Sequence, residues 1–249
     1  MNSRDDRSAE RLTAMLGGDV PLQWRFDGRI DAASIVVLAH GAGTDMYAPI
    51  LESMTSALNA HDIGVFRFNQ RYQTMGRRAP DRPAVLWATT LAAVEVAADH
   101  TDRETASLIV GGRSMGGRYM SMIAAGDDEH PPVPVAGLLL AGYPLYPPGK
   151  PDKVRADHFP RITCPTLIIQ GTRDTMATPE ALLVASEMMG GSVELCWLPD
   201  ADHGFKPRKS SGYSPEDCAL MASDASVEWV QRVAALTAES PEATPPANP

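Results

Sequence analysis

Cysteine is scarce in this chain. Its 249 residues carry three, Cys164, Cys196 and Cys218, an odd set with neither metal-ligand spacing nor a disulfide framework. Long apolar runs are missing too. None approaches the roughly 18 residues that a membrane helix needs. The opening residues, MNSRDDRSAERLTAML, mix charges of both signs and lack the apolar stretch of a signal peptide. A cytoplasmic protein with reduced thiols and no membrane association is the expectation. Basic charge is in deficit: 22 Lys and Arg stand against 31 Asp and Glu, a net charge of −9 and a pI near 5.1. A general nucleic-acid binder shows the opposite balance. Internal repeats and a domain-scale linker are also lacking.

What is present is an ordinary globular composition, 44% apolar and 21% charged, in a chain long enough for a sizeable core. Short apolar runs alternate with longer amphipathic segments. Strands are expected at 35–40, 64–68, 107–112, 135–142, 165–171 and 192–199. The better-alternating PLQWRF, 21–26, reads as an antiparallel edge strand. Helices are expected at 47–61, with Asp45 as its cap, and at 82–100, 115–126, 179–190 and 214–239. Strands separated by helices of this length imply βαβ units. Near-continuous apolar strands imply a parallel sheet covered on both faces. The expected fold class is therefore α/β, a mostly parallel central sheet with helices on both sides. Residues 1–18 form an N-terminal extension, 19–239 the domain, and the Pro-rich 240–249 a disordered tail. The segment between GLLLAG and PTLIIQG has about twenty residues, five of them prolines. It is too short for a helical lid domain.

The stretch LIVGGRSMGGRYM runs from a strand-like segment into a helix-like one. Gly112, Ser114 and Gly116 spell G-x-S-x-G, the pattern of a sharp strand-to-helix turn that lifts a serine hydroxyl to the top of a sheet. The pattern is short, so its context must decide. Ligands of open α/β sheets bind at the carboxyl ends of strands. Past those ends stand HGAGTD (His40 to Asp45), Ser114, TRDTMATP with Asp174, and DADHGF with His203. Ser, Asp, His is the chain order that a G-x-S-x-G hydrolase requires. Each interval holds whole βα units, so the three can meet at one rim.

Each residue type suits a role. A serine hydroxyl is a poor nucleophile until a base takes its proton. An imidazole, with an ordinary pKa of about 6.5, serves as base and then acid near neutral pH. An aspartate holds the imidazole tautomer and stabilises the imidazolium. Asp200 and Asp202 compete with Asp174 for that place, but they lie so close to His203 that they belong more naturally to its own loop. His40 opens the glycine loop and reads as structural. Backbone N–H groups of Met115 and Ala42 are the candidate oxyanion donors. No metal and no cofactor is called for.

LAHGAGTDM, FRFNQRY…GRRAPDRP, GGRSMGGR, GLLLAGYPLYPPGKP, CPTLIIQGTRD and DADHGF together resemble the small, lidless α/β hydrolases of the dienelactone-hydrolase-like group. More narrowly, the likeness is to the family of testis-expressed protein 30 and the NSL complex subunit 3 hydrolase-like domain. It spans residues 37 to 205. It implies a hydrolase fold, a Ser/Asp/His triad and no cofactor. Asn69, Gln70, Arg71 and Tyr72 depart from the F-P-Y or F-P-F of relatives, so substrate preference does not transfer. Arg71, Met46 and Tyr143 are the candidate substrate contacts. Five arginines between Arg67 and Arg82 either bind an anionic substrate group or pair with surface acids such as Asp81. The expected function is hydrolysis of a small carboxylic ester or thioester through an acyl-enzyme, with a small-molecule partner and the oligomeric state left open. The rival is a hydrolase-fold interaction module without turnover. A dehalogenase would want an aspartate at position 114.

Overall fold

The computed structural model describes residues 20–239; the expected extension at 1–18 and tail at 240–249 lie outside the described residues. In chain order the elements are β1 (Trp24–Asp27), β2 (Ser34–Ala39), α1 (Pro49–Ala60), β3 (Ile63–Phe68), α2 (Arg71–Thr74), α3 (Pro83–Thr101), β4 (Leu108–Arg113), α4 (Met115–Ala125), β5 (Gly137–Ala141), β6 (Thr166–Gly171), α5 (Pro179–Ser186), β7 (Val193–Leu198) and α6 (Pro215–Glu239). The seven strands form one sheet in the order β1-β3-β2-β4-β5-β6-β7. β1 runs antiparallel to β3 at the edge, Trp24 opposite Phe68, and every other pair is parallel.

Period-2 alternation divides the core. Ile35, Val37 and Ala39 of β2 face the cluster under α3, α4 and α5, while Val36 and Leu38 face the one under α1 and α6. Both faces are therefore closed, which is why β2, β3, β4, β5 and β6 are buried along their whole length. Prolines open α1, α3 and α5 at the first helical position, where a missing N–H costs nothing. Asp45 does not cap α1. Its carboxylate accepts from the Tyr47 N–H at 2.9 Å, and Ala48 takes the cap position instead. The short α2 was not anticipated. α5 stops at Ser186 rather than 190, in turns closed by Met188 and Met189 N–H groups.

Residues 143–164 cross the rim with a single 3₁₀ turn, Phe159–Arg161, and no helical lid. From β2 the chain steps through α1 to β3 on one side; α3 then carries it back to β4 on the other side of β2. The carboxyl ends of β2 and β4 thus flank the point where strand order reverses, the place at which open α/β sheets bind their ligands. None of the described helices is long and apolar enough to cross a membrane.

Candidate active site

Ser114 sits between β4 and α4 with φ 50° and ψ −116°, a backbone conformation that a non-glycine residue rarely adopts. Its neighbours hold it there. The Ser114 N–H donates to Ala141 O at 2.9 Å, and the Arg118 N–H donates to Ser114 O at 3.0 Å. The glycines are needed because β2 passes so close. A Cβ at Gly112 would lie 2.2 Å from Ala39 O, and one at Gly116 would lie 2.5 Å from the same oxygen. The turn presses on the β2 carboxyl end, and only hydrogen fits between.

Three side chains form one line. Ser114 Oγ lies 2.9 Å from His203 Nε2, and His203 Nδ1 lies 2.6 Å from Asp174 Oδ2. A carboxylate only accepts, so Nδ1 carries the proton and Nε2 is left to accept from the serine. Asp174 is 1% exposed and fully partnered. Oδ2 also accepts from Gln170 Nε2 at 2.6 Å, and Oδ1 accepts from the Met176 N–H at 2.8 Å. Asp200 and Asp202 are engaged elsewhere. Asp202 Oδ1 accepts from the Gly204 and Lys206 N–H groups, and Asp200 lies beside Arg173 and Arg208. Both shape the loop that carries His203.

The glycine loop after β2 lies against the serine: a Cβ at Gly41 would be 3.6 Å from Ser114 Cβ. Met115 is the first residue of α4, so its N–H has no intrahelical acceptor. The Ala42 N–H likewise meets no acceptor among the described residues, since the turn closes through Thr44 and the Gly43 N–H donates to Tyr72 Oη at 3.3 Å. His40 is structural. Its Nε2 accepts from the Gln70 N–H at 3.0 Å and its Nδ1 donates to Gly41 O at 2.8 Å. Burial lowers its pKa, against opposing contributions from Gly41 and Asp45. Asn69 Oδ1 accepts from the Met46 N–H at 2.9 Å. The segment Asn69–Tyr72 is therefore the clamp of the glycine loop, a role that the sequence pattern did not announce.

A sequence profile described as an alpha/beta hydrolase domain matches residues 32–231. The chain belongs to the α/β hydrolase family. Solved structures share this hydrolase's fold at low identity. Est1E from Butyrivibrio proteoclasticus, solved with ferulic acid bound, is 16% identical with a TM-score of 0.63, over 86% of this chain and 96% of its own. XC6422 from Xanthomonas campestris, described as a serine hydrolase without lid, is 22% identical with a TM-score of 0.60, over 90% and 92%. Dienelactone hydrolase from Anabaena variabilis is 21% identical with a TM-score of 0.60, over 83% and 91%.

Around the hydrolase site the remaining candidates divide. Arg71 opens α2 half-buried, with no hydrogen-bond partner for its Nε among the described residues. Met46 and Tyr143 are buried, and the Tyr143 hydroxyl donates to Arg155 O at 2.9 Å. Neither of these two side chains faces solvent. Of the clustered arginines, Arg67 is engaged with Asp27, Glu52 and Met46 O, and Arg77 pairs with Asp81 at 2.6 Å. Arg113 was also missed. It is buried, donates to Ala141 O and Gly142 O, and lies 4.6 Å over the Phe205 ring in the His203 loop. Burial pulls its pKa down to about 10, opposed by Asp174 and Asp202, so it stays charged at neutral pH. Among the described residues no cluster of His, Cys, Asp or Glu is gathered as a metal site.

Proposed function

We propose that this hydrolase cleaves a small carboxylic ester or thioester through an acyl-enzyme, with Ser114 as nucleophile, His203 as base and acid, and Asp174 orienting His203. The observation that carries the reading is the unbroken hydrogen-bond line from Ser114 Oγ through His203 to Asp174. In the first step Ser114 Oγ bonds to the carbonyl carbon while its proton passes to His203 Nε2. The Met115 and Ala42 N–H groups receive the oxyanion, aided by the positive N-terminus of α4. His203 then protonates the departing alcohol or thiol as its bond to carbon breaks. Water repeats the sequence, and the acid leaves. The chain's own side chains and amides carry every proton and charge in this scheme.

The thiols favour serine over cysteine as nucleophile. Burial pushes Cys164 up to about 11 and raises Cys196 and Cys218 as well, away from a reactive thiolate. Their free state also fits the cytoplasmic location we infer. Within the family we group the chain with the relatives of testis-expressed protein 30, on the strength of GGRSMGGR and DADHGF. Arg71 is the proposed substrate contact on the β3 side of the nucleophile.

Labelling with a fluorophosphonate tests the scheme. The wild type should label, and Ser114→Ala should not, with kcat toward a p-nitrophenyl ester falling by roughly 10³-fold or more. Full labelling of Ser114→Ala refutes the assignment. A folded wild type that neither labels nor turns over any ester would favour the interaction-module reading instead.

A further inference from the structure

Arg118 and Arg155 form a cationic pair with no acid to balance it among the described residues. Arg118 lies one helical turn after Ser114, its N–H bonded to Ser114 O. Helical side chains lean toward the N-terminus, so its long side chain runs back toward the rim. Its Nε is buried without a hydrogen-bond partner, and its guanidinium stands 5.8 Å from the Tyr119 ring centroid. Arg155 reaches the same place from the segment after β5. That segment is pinned at both main-chain groups of Arg155: its N–H donates to Leu145 O at 2.7 Å and its carbonyl accepts from Tyr143 Oη. Both arginines are half-buried, and both face Tyr143 and Tyr119. Among the described residues no carboxylate is ion-paired with either guanidinium, although nine other arginines and histidines do have such partners. His158 does not compensate, since it sits neutral against Ser121 Oγ at 2.8 Å.

Two like charges held together and partly out of water are costly unless an anion joins them. Burial, and then the charge of Arg118, pull the pKa of Arg155 down. The tyrosine faces offset part of this cost. Paired guanidinium forks match the two oxygens of a carboxylate or phosphate.

The geometry points to an anion subsite, built from Arg118 and Arg155 on the β5 side of Ser114, that receives an oxyanionic group on the substrate several bonds from the scissile carbonyl. The spacing follows from the helix: one turn is about 5.4 Å. The substrate class is thus an ester or thioester whose acyl part ends in an oxyanion, such as a half-ester of a short dicarboxylic acid. The subsite lies across the nucleophile from Arg71, because β5 and β2 flank β4 on opposite sides. The inference rests on the serine-hydrolase reading above.

Two measurements separate the failure of one from the failure of the other. In the first, kcat/KM is compared for the p-nitrophenyl half-ester of glutaric acid and for p-nitrophenyl valerate, its neutral counterpart. Wild type should prefer the half-ester, and added salt should weaken the preference. Arg118→Gln and Arg155→Gln should each raise KM for the half-ester about tenfold to a hundredfold, with valerate changed by less than about threefold. Arg118→Lys keeps the charge and should retain part of the preference; Arg29→Ala, at the far end of the sheet, is the control. In the second, glutarate and inorganic phosphate are titrated separately into Ser114→Ala by calorimetry. Glutarate should bind, and should be lost when Arg118→Gln or Arg155→Gln is added; tighter binding of phosphate would assign the oxyanion to a phosphate group. This arm needs no turnover, so a dead nucleophile does not hide it. No binding of either anion to a folded Ser114→Ala variant, or equal losses on both esters, would overturn the subsite.

Discussion

Replacing Asp174 by asparagine tests the site at its most constrained atom pair. The carboxylate accepts three donors: His203 Nδ1 and Gln170 Nε2 on Oδ2, each at 2.6 Å, and the Met176 N–H on Oδ1 at 2.8 Å. An amide supplies one oxygen and one NH₂, so either orientation sets donor against donor. With NH₂ in place of Oδ2, it faces the Gln170 amide and forces His203 Nδ1 to accept. The imidazole proton then moves to Nε2, where it blocks the Ser114 hydroxyl. With NH₂ in place of Oδ1, it opposes the Met176 N–H and leaves a buried donor unpaired. That costs about 1–3 kcal/mol, a drop in Tm of about 2–4 °C for each kcal/mol in a chain of this size. The tautomer effect should lower kcat/KM by about 10³- to 10⁴-fold. A p-nitrophenyl ester assay beside thermal melting reads both quantities. Asp202→Asn keeps an oxygen for Gly204 and Lys206 and should lose far less activity, as should Asp200→Asn. Activity of Asp174→Asn within tenfold of wild type, or an equal loss in Asp202→Asn, would refute the reasoning.

Acid should loosen the segment that carries Arg155. Burial, with help from Arg118 and Arg161, holds the His158 imidazole at about 4, while in the unfolded chain it titrates near 6.5. The unfolded state therefore binds the extra proton between those values. The stabilisation is complete above about pH 6.5 and lost as pH falls toward 4, about 2 kcal/mol of it by pH 5. Urea unfolding at pH 7 and pH 5 should show this loss in wild type and not in His158→Gln; parallel losses would contradict it. Gly116→Ala drives a methyl into Ala39 O and should destabilise by about 1–3 kcal/mol or more while removing fluorophosphonate labelling; a wild-type melt with full labelling would count against the close approach. Arg71→Ala should raise KM for an acidic ester and leave a neutral ester of equal size nearly unchanged, whereas equal effects would make Arg71 structural.

Chain order and local pattern were enough for the sheet, because strands buried on both faces read as short apolar runs and the helices between them as long amphipathic ones. The edge position of β1 was legible for the same reason: one open face makes residues alternate. The strand-to-helix turn at Ser114 showed in Gly112 and Gly116, since close approach of two backbones tolerates only glycine. The order Ser, Asp, His was equally plain, because βα units return the chain to one rim after each crossing. Choosing among acids was another matter. Asp174, Asp200 and Asp202 are interchangeable as letters, and only the packing of β6 beside β7 brings the first to His203 and leaves the others to the loop. Tertiary structure alone sorted the arginines. Arg67, which opens a promising cluster, is taken by Asp27, 40 residues away in sequence, while Arg118 and Arg155, far apart along the chain, act on the same two tyrosines, Tyr119 and Tyr143. Charge pairing depends on distance through space, and a sequence records distance along the chain.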